Sequence, residues 1–577
     1  MPTLLHVGLQ RGSLYIGLLT VLLCGCTTEV QQERFNPPPD ATNKFLGYFT
    51  AADKTTTCGN CHVTHQAAWE QTAHASAYDV PATSPDVTPA CYTCHTVSGR
   101  GNDVADPAGW DKVQDPVYHD VQCENCHGPG LDHVSAPDAP KSASNPPLAH
   151  IGVPITADFG PVDSASITNS ASCGSCHNQN SGPGVRAYEE WAQSGHAHVV
   201  IEEGGASPAD NAACVSCHEA KGILAAWGVT SDYVERGQTG SANYLGQTCA
   251  VCHDPHGSAK DPTTGEPLAH QLRFPITTPD VNQQLCMKCH QRRSVPDQAS
   301  ARGPHSPQGP MLLGDAGYQP AGFQPDLQAV ASTHGTDKNP ELCAGCHVQR
   351  LEGTDVATGK PAVSAGHLFL AIPCLDAGGL PVKTDCPDDE PSRSWGACTA
   401  SGCHGNATAA VAAFTLITQD VDRLTKQIWD DKNGNDVIDP DSTACSALAL
   451  PCANPTGVPA TDDANRANWD GGLLARTNIV VPATEYVTND NKISAAEGAR
   501  FNVRMLRIEG GADGSHGVHN PFLARALLGA DITELEATYP GLPAPSAVIQ
   551  QMMQGKLGAM LRRVYHPPAK VIQTSSR

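Results

Sequence analysis

The chain has 577 residues and a formal net charge of −23, with 40% hydrophobic but only 5% aromatic residues. Its length allows three or four domains, at roughly 150 residues per domain. The acidic balance argues against nucleic acid or an anionic membrane surface as a partner, because both carry negative charge. It favours a solvated acidic surface, or basic redox proteins as partners.

Residues 1–26 predict an export signal, because Arg11 precedes an apolar run shorter than the about 20 residues that span a bilayer. A leucine three residues before Cys26, and Gly25 directly before it, resemble a bacterial lipobox. We therefore expect an outer-membrane lipoprotein, on its periplasmic or cell-surface face, with its lipid on Cys26. A plain secretory signal is the alternative. Residues 27–55 read as a tether.

A Cys-x-x-Cys-His pattern occurs eight times, and a ninth copy has four residues between its cysteines. We number these motifs 1 to 9 in chain order. Their cysteines are Cys58 and Cys61, Cys91 and Cys94, Cys123 and Cys126, Cys173 and Cys176, Cys214 and Cys217, Cys249 and Cys252, Cys286 and Cys289, Cys343 and Cys346, and Cys398 and Cys403. Their histidines are His62, His95, His127, His177, His218, His253, His290, His347 and His404.

The pattern is typical of covalent haem c attachment, in which two thiols bind the porphyrin and the histidine becomes an axial iron ligand. A zinc site or a redox dithiol is the alternative, but a zinc site pairs two half-sites with histidines at other spacings. We therefore predict about nine covalently bound haems. The expanded loop of motif 9 leaves its haem less securely assigned than the others.

Motifs 1 to 6 form two similar triplets. The first contains Trp69-Glu-Gln-Thr-Ala-His74, and the second contains Trp191-Ala-Gln-Ser-Gly-His196. We divide the chain into triplet 1 (56–165), triplet 2 (166–280), motifs 7–9 (281–410) and a C-terminal helical region that supplies a distal ligand (411–577).

The predicted fold is mainly α with a high loop content, organised by haem, and with few short strands. Helices are expected in residues 66–78, 185–200, 406–430, 492–507, 521–530 and 546–564. Four cysteines lie outside both the motifs and the signal, and sequence proximity favours Cys374–Cys386 and Cys445–Cys452 among three pairings. Asp431, Asn433, Asn435 and Asp439 have spacings similar to a calcium loop, so bound Ca²⁺ and a hydrated turn are both open.

The second axial position of each haem decides between electron transfer and catalysis. Fifteen histidines remain outside the signal and the motifs, which exceeds the nine positions to fill. We expect the distal metal ligands among His65, His74, His133, His196, His256, His305, His334, His367 and His519. For each of them, a surface or hydrogen-bonding role is the alternative.

These elements resemble the multihaem family of the nitrifiers' tetrahaem cytochrome and the octahaem reductases. The resemblance rests on the tryptophan–histidine segments, on Cys123-Glu-Asn-Cys-His-Gly-Pro, and on His305-Ser-Pro-Gln. It implies distal roles for His74, His133, His196 and His305. A Gly-x-His-Asn-Pro element of related cytochromes implies the same for His519. The lipobox and motif 9 are more similar to outer-membrane cytochromes of metal-reducing bacteria.

The leading prediction is an electron carrier between the periplasm and an outer-membrane or extracellular acceptor, and not a catalyst. The alternative is a reductase or oxidase of nitrite, hydroxylamine or a sulfur oxyanion, which needs one haem with an open distal site. A third alternative, a filament-forming cytochrome, conflicts with a lipid anchor. No motif ends in lysine, the residue that marks the open haem of pentahaem nitrite reductases.

Overall fold

The structure, a computed structural model, describes residues 35–101, 104, 107–137, 173–179, 184–198, 208, 211–229, 246–299, 302–324, 332–400, 402–432, 434, 436, 438, 470–476 and 490–566. It is mainly helical with many loops, as predicted. The described strands form three antiparallel pairs: β1 (Tyr48–Thr50) with β2 (Thr55–Thr56), β3 (Leu351–Thr354) with β4 (Pro361–Ser364), and β5 (Cys374–Leu375) with β6 (Pro381–Val382). In the second pair, Leu351 lies opposite Ser364.

Short helices carry or flank the motifs, and longer ones follow motif 9. Those up to motif 9 are α1 (Val63–Trp69), α2 (Asp79–Thr83), α3 (Pro89–His95), α4 (Trp110–Val113), α5 (Cys123–His127), α6 (Leu131–Ser135), α7 (Ala187–Gln193), α8 (Val215–His218), α9 (Ala220–Ala226), α10 (Cys249–Cys252), α11 (Gln308–Leu313), α12 (Cys343–His347) and α13 (Gly396–Thr399). The later ones are α14 (Ala407–Ile428), α15 (Ala495–Leu506), α16 (Pro521–Thr538), α17 (Ala547–Gln554) and α18 (Lys556–Val564).

A recurrent tryptophan links two elements in each triplet. The indole nitrogen of Trp69 donates to the Val121 carbonyl at 3.0 Å, and that of Trp191 donates to the Gln247 carbonyl at 2.8 Å. Val121 and Gln247 each lie two residues before the third motif of their triplet. The two triplets therefore share this tryptophan hydrogen bond as well as their sequence motifs.

The two tryptophan helices are shorter than the predictions for residues 66–78 and 185–200. Helix α1 ends at Trp69, and the Thr72 hydroxyl donates to the Trp69 carbonyl at 2.8 Å. A separate 3₁₀ turn, Ala73–Ser76, then carries His74. Ser194 ends α7 in the same way, through a hydroxyl bond to Trp191 at 2.7 Å. These hydroxyls compete for the helix carbonyls and so divide each segment.

The C-terminal helices form one buried apolar core. Helix α15 begins with a Ser494–Glu497 capping box, and α14 begins at the cap of Asn406. Leu424, Val503 and Leu527 pack together in this core. The prediction of one helix over 546–564 was wrong, because the chain breaks at Gly555, whose ψ of −138° separates α17 from α18. The predicted helices 406–430, 492–507 and 521–530 correspond to α14, α15 and a longer α16.

A disulfide joins Cys374 to Cys386. This is one of the two pairings that sequence proximity favoured, and it closes the loop that contains β5 and β6. Cys445 and Cys452 lie outside the described residues, as do Cys26 and the rest of the predicted signal. Among the described residues, no helix is both long and apolar enough to cross a membrane.

Candidate haem-binding sites

Each haem motif folds as one tight turn. In motif 1 the His62 amide donates to the Cys58 carbonyl at 2.9 Å, and in motif 7 the His290 amide donates to the Cys286 carbonyl at 3.0 Å. Residues three apart in such a turn lie on one side of it. Both cysteines of a motif can therefore reach one porphyrin edge while the histidine projects towards its centre.

Motif 9 closes by the same kind of bond despite its longer loop. The His404 amide donates to the Cys398 carbonyl at 2.9 Å, across two more residues than in the regular motifs. Gly402 supplies the necessary left-handed conformation, with a φ of 86°. The longer loop therefore leaves the histidine as close to the first cysteine as in the regular motifs.

Eight motif histidines lie opposite a second histidine ring. With their centroid distances, the pairs are His62 with His133 (6.4 Å), His127 with His256 (6.1 Å), His177 with His74 (6.1 Å), His218 with His305 (5.9 Å), His253 with His367 (6.2 Å), His290 with His196 (6.3 Å), His347 with His519 (6.2 Å) and His404 with His334 (6.4 Å). Two imidazoles on opposite sides of one metal ion, with bonds of about 2 Å, have centroids roughly 6 Å apart. The spacing therefore fits an iron held between each pair.

In several of these histidines, a hydrogen bond at Nδ1 leaves Nε2 free to bind a metal. The Nδ1 atoms of His253, His334 and His347 donate to the carbonyls of His270, Val518 and Phe369 at 2.8, 2.8 and 2.9 Å. A donor at Nδ1 fixes the tautomer in which Nε2 carries the lone pair that a metal needs. The rings are thus oriented for coordination through Nε2.

Burial keeps several of the paired histidines neutral. Burial, followed by the charge of His177, lowers the pKa of His74 to about 4. Burial and then His290 do the same for His196, and burial and then His253 for His367, each to about 4. The neutral imidazole is the form that binds a metal.

His519 differs from the others because it has an acidic neighbour. Its Nδ1 donates to Asp513 Oδ1 at 2.8 Å, and both side chains are largely buried. Burial alone would lower the pKa of His519, but the Asp513 charge and this hydrogen bond raise it above its ordinary value. A carboxylate in this position makes a histidine ligand more basic.

Two predicted site residues stand apart from the pairs. The His65 ring lies 4.6 Å from that of His256 and 6.1 Å from that of His62, one helical turn along α1. The His65–His62 spacing is similar to that of the pairs, but residues three apart on one helical turn lie on the same side of it, so these two rings cannot lie on opposite sides of one metal ion. In the described part of the chain, no histidine ring lies opposite His95, whose Nδ1 donates to the Ala77 carbonyl at 2.6 Å.

Buried polar groups attach motif 3 to the N-terminal segment. The Glu124 carboxylate accepts from the amides of Leu46, Gly47 and Gly130, the last two at 2.7 Å. Burial raises the pKa of Glu124 to about 7, although these bonds favour the charged form. The glutamate inside the motif is thus structural, a role that the sequence pattern did not reveal.

The calcium-like loop is described only in part, since Asn433, Asn435 and Asp439 lie outside the described residues. Asp431 Oδ2 accepts from Arg507 Nη1 at 2.9 Å, and Asp436 pairs with Arg504 and Arg507. In the described residues, no group of three or more Cys, His, Asp or Glu is arranged to hold a metal ion. The arginines neutralise both carboxylates, which favours the hydrated-turn alternative.

Comparisons with known proteins agree with the site geometry. Residues 57–128 match the family of cytochrome c554 and c-prime, and residues 118–263 match the outer membrane cytochrome MtrC/MtrF-like family, domains II/IV. In these two regions the chain is similar to known cytochrome families. The two matches together span motifs 1 to 6.

Two individual proteins are similar to this chain. The multiheme cytochrome MtrA of Shewanella baltica (strain OS185) is 25% identical over 290 residues, which are 49% of this chain and 72% of that protein. The crystal structure of the outer cell wall cytochrome OcwA has 18% sequence identity and a TM-score of 0.39, and the match covers 85% of this chain and 100% of that one.

Proposed function

We propose that this chain binds nine covalently attached c-type haems and carries electrons along them. The observation that supports this most strongly is the set of eight histidine pairs, each spaced to hold one iron. A haem bound by two imidazoles accepts and donates single electrons, and has no vacant position for a substrate. The relationship to multihaem cytochromes supports the same conclusion.

The chain's own residues have three tasks in this function. The motif cysteines would hold the porphyrins, and the paired histidines would hold the irons. The Nδ1 hydrogen bonds hold those imidazoles in one tautomer and one orientation. We assign the distal positions to His74, His133, His196, His256, His305, His334, His367 and His519. His65 then serves as a neighbour of the first and third sites, not as a ligand.

Haem attachment is tested by the mass of the purified holoprotein. The expected mass is that of the processed chain plus nine haems. Replacing both cysteines of motif 9, Cys398→Ala with Cys403→Ala, should remove the mass of one haem. The matched control, Cys374→Ser with Cys386→Ser, removes two cysteines that form a disulfide and should leave the haem count unchanged. A wild-type mass with no added haem would overturn the proposal.

We propose that the carrier works between the periplasm and an acceptor at or beyond the outer membrane, with redox proteins as its partners. The lipobox at Cys26 and the outer-membrane family name support this location. Fractionation of cells carrying Cys26→Ala should move the protein from the membrane fraction to the soluble exported one. Cys24→Ala is the matched control, and an identical shift in that variant would argue against lipidation at Cys26. Calcium binding at the Asp431 loop stays a prediction.

One observation, at motif 2, bears on the reductase alternative. His95 is the motif histidine with no histidine ring opposite it among the described residues, so motif 2 is where an exchangeable ligand would be sought. Adding nitrite or hydroxylamine to the oxidised protein tests this, since binding at an open iron changes the Soret absorption. An unchanged spectrum favours the carrier, whereas a saturable change followed by turnover would favour the enzyme.

A further inference from the structure

The phenyl ring of Phe369 lies against histidines of two different pairs. Its centroid is 4.5 Å from that of His196 and 5.6 Å from that of His367, and the rings meet edge to face at 81° and 63°. Edge-to-face contacts at these distances are attractive, and they favour one orientation of each ring. His196 lies opposite His290 of motif 7, and His367 lies opposite His253 of motif 6. One phenyl ring therefore contacts the second imidazoles of two sites.

The backbone of the same residue contacts a third site. The Phe369 carbonyl accepts a hydrogen bond from Nδ1 of His347, the motif 8 histidine, at 2.9 Å. A bond of this kind fixes both the tautomer and the orientation of an imidazole that binds a metal through Nε2. Motifs 6, 7 and 8 thus each have one imidazole in direct contact with Phe369.

The backbone conformation of Phe369 is unusual for a bulky residue. Its φ is 57°, in the left-handed region, where a Cβ atom crowds the following carbonyl oxygen. Such a conformation persists only where the surrounding contacts hold it, and these conformations concentrate at functional sites. In this conformation the ring faces His196 and His367, while the carbonyl faces His347.

A buried glutamate holds the turn that carries Phe369. Glu190 of α7 is 1% exposed, and its Oε2 accepts from the amides of Ala365 and His367 at 3.1 and 3.0 Å. Gly366, between them, has a φ of 76°, and a side chain there would meet the backbone just after motif 8. The Phe369 amide donates to the Gly366 carbonyl at 3.1 Å, which closes the turn. The turn is therefore bonded to α7 on one side and packed against the chain after α12 on the other.

The phenyl ring also packs on the second tryptophan helix. Tyr188 and Trp191 of α7 form a small apolar cluster with Ala197, and Phe369 lies against this cluster. Ala197 belongs to the 3₁₀ turn that carries His196. The ring cannot move away from His196 without exposing apolar surface of this cluster, which is unfavourable in water.

We propose that Phe369 is a positioning residue shared by three haem sites. Its ring sets the orientation of the distal imidazoles of motifs 6 and 7, and its carbonyl sets the orientation of the motif 8 imidazole. The groups that orient an axial imidazole, and the hydrogen bonds that it makes, tune the properties of the iron that it binds. A change at this one residue therefore alters neighbouring sites together. This inference rests on the proposed haem attachment and adds the residue that links three of the sites.

EPR of the oxidised, haem-loaded chain tests the role of the ring. Phe369→Asn removes the phenyl group but keeps the left-handed conformation accessible, because asparagine adopts it more readily than a bulky residue does. We expect the low-spin signals of motifs 6 and 7 to shift in g value, whereas that of motif 8, which keeps its carbonyl acceptor, stays in place. The variants His367→Ala, His196→Ala and His519→Ala identify the three signals, because each removes one distal ligand.

Three further variants separate positioning from general packing. Leu368→Ala, at a neighbouring residue that is 7% exposed, removes a buried apolar side chain and should leave all three signals in place. Phe369→Tyr keeps the aromatic ring and should retain the native signals. Phe369→Leu fills more of the same space without an aromatic ring and should give the same two shifts as Phe369→Asn, so the test does not depend on one variant.

Unchanged signals in Phe369→Asn and Phe369→Leu, or a shift at only one of motifs 6 and 7, would overturn the shared role. Equal shifts in Leu368→Ala would also overturn it, because they would show that the ring only fills space. The haem mass of each variant keeps these outcomes apart from a failure of the proposed function. Nine haems with unshifted signals would refute only the role of Phe369, whereas a wild-type chain without haem would refute haem attachment itself.

Discussion

The motif-bearing segments and the C-terminal helices bury apolar side chains on very different scales. Helices α14, α15, α16 and α18 share one continuous core, which contains Val421, Val503, Leu527 and Leu561. Between motifs 1 and 7 the described apolar residues form only small clusters, such as Tyr188 with Trp191. Side-chain burial alone can stabilise the C-terminal helices, but the motif-bearing segments depend on the apolar porphyrin rings that their motifs would hold.

The two regions are nevertheless coupled at His519. This histidine directly precedes the cap of α16, and its ring lies opposite His347 of motif 8. The helical core thus holds the His519 ring opposite a motif histidine. Four changes to the protein test how the two regions differ.

The largest effect is expected when haem attachment is prevented altogether. In a host that lacks the attachment machinery, the segments from motif 1 to motif 7 should lose protection against hydrogen exchange, because they have little apolar burial of their own. Helices α15 and α16 should keep measurable protection. Equal loss of protection in both regions would show that the C-terminal core also depends on haem.

A cavity in the C-terminal core should destabilise the protein without removing haem. Leu527 is fully buried, so Leu527→Ala should cost about 2–5 kcal/mol of unfolding free energy in that region. Thermal unfolding followed by far-UV circular dichroism measures this, and the haem mass should stay unchanged. The matched substitution Leu224→Ala, in the small cluster beside motif 5, should have a smaller effect. A larger effect at Leu224 would contradict the comparison.

Removing one distal ligand should change one haem and leave the fold intact. His196 lies opposite His290, so His196→Ala should convert the motif 7 iron from six to five ligands and produce a high-spin signal. His198→Ala is the control, because His198 is two residues away and forms none of the described histidine pairs. High-spin signals of equal size in the two variants would refute the assignment of His196.

The smallest effect is expected from the carboxylate beside His519. Asp513→Asn removes the negative charge that makes this imidazole more basic, so the reduction potential of the motif 8 haem should rise. Spectroelectrochemical titration should show one component of the reduction curve shifted upwards. Asp132→Asn is the control, since Asp132 is an exposed carboxylate paired with Lys44. A shift of the same size in that variant would show that the potential responds to the net charge of the protein and not to the Asp513–His519 hydrogen bond.

Much of this arrangement could be predicted from the sequence because the motif chemistry is local. A Cys-x-x-Cys-His turn is complete within five residues, and the tryptophan–histidine segments have similar sequences in both triplets. The C-terminal helices were predicted in nearly correct positions because α14 and α15 carry clear caps and helical periodicity. The break at Gly555 was missed because apolar residues continue at helical spacing through it.

The pairing of histidines could not be predicted, since it depends on contacts between distant segments. His74 lies opposite His177, and His334 lies opposite His404. The residues around each histidine give no indication of which motif it pairs with. The Nδ1 acceptors are mostly backbone carbonyls, which leave no trace in the sequence. Asp513 is the exception, since an acidic residue close before a candidate ligand is a visible signal.

EPR of the oxidised holoprotein shows whether paired histidines saturate the haem irons. We expect low-spin ferric signals that integrate to at least the eight irons of the paired motifs. Any high-spin component should correspond to no more than the single iron of motif 2. High-spin signals from several irons, each able to bind added ligand, would contradict it.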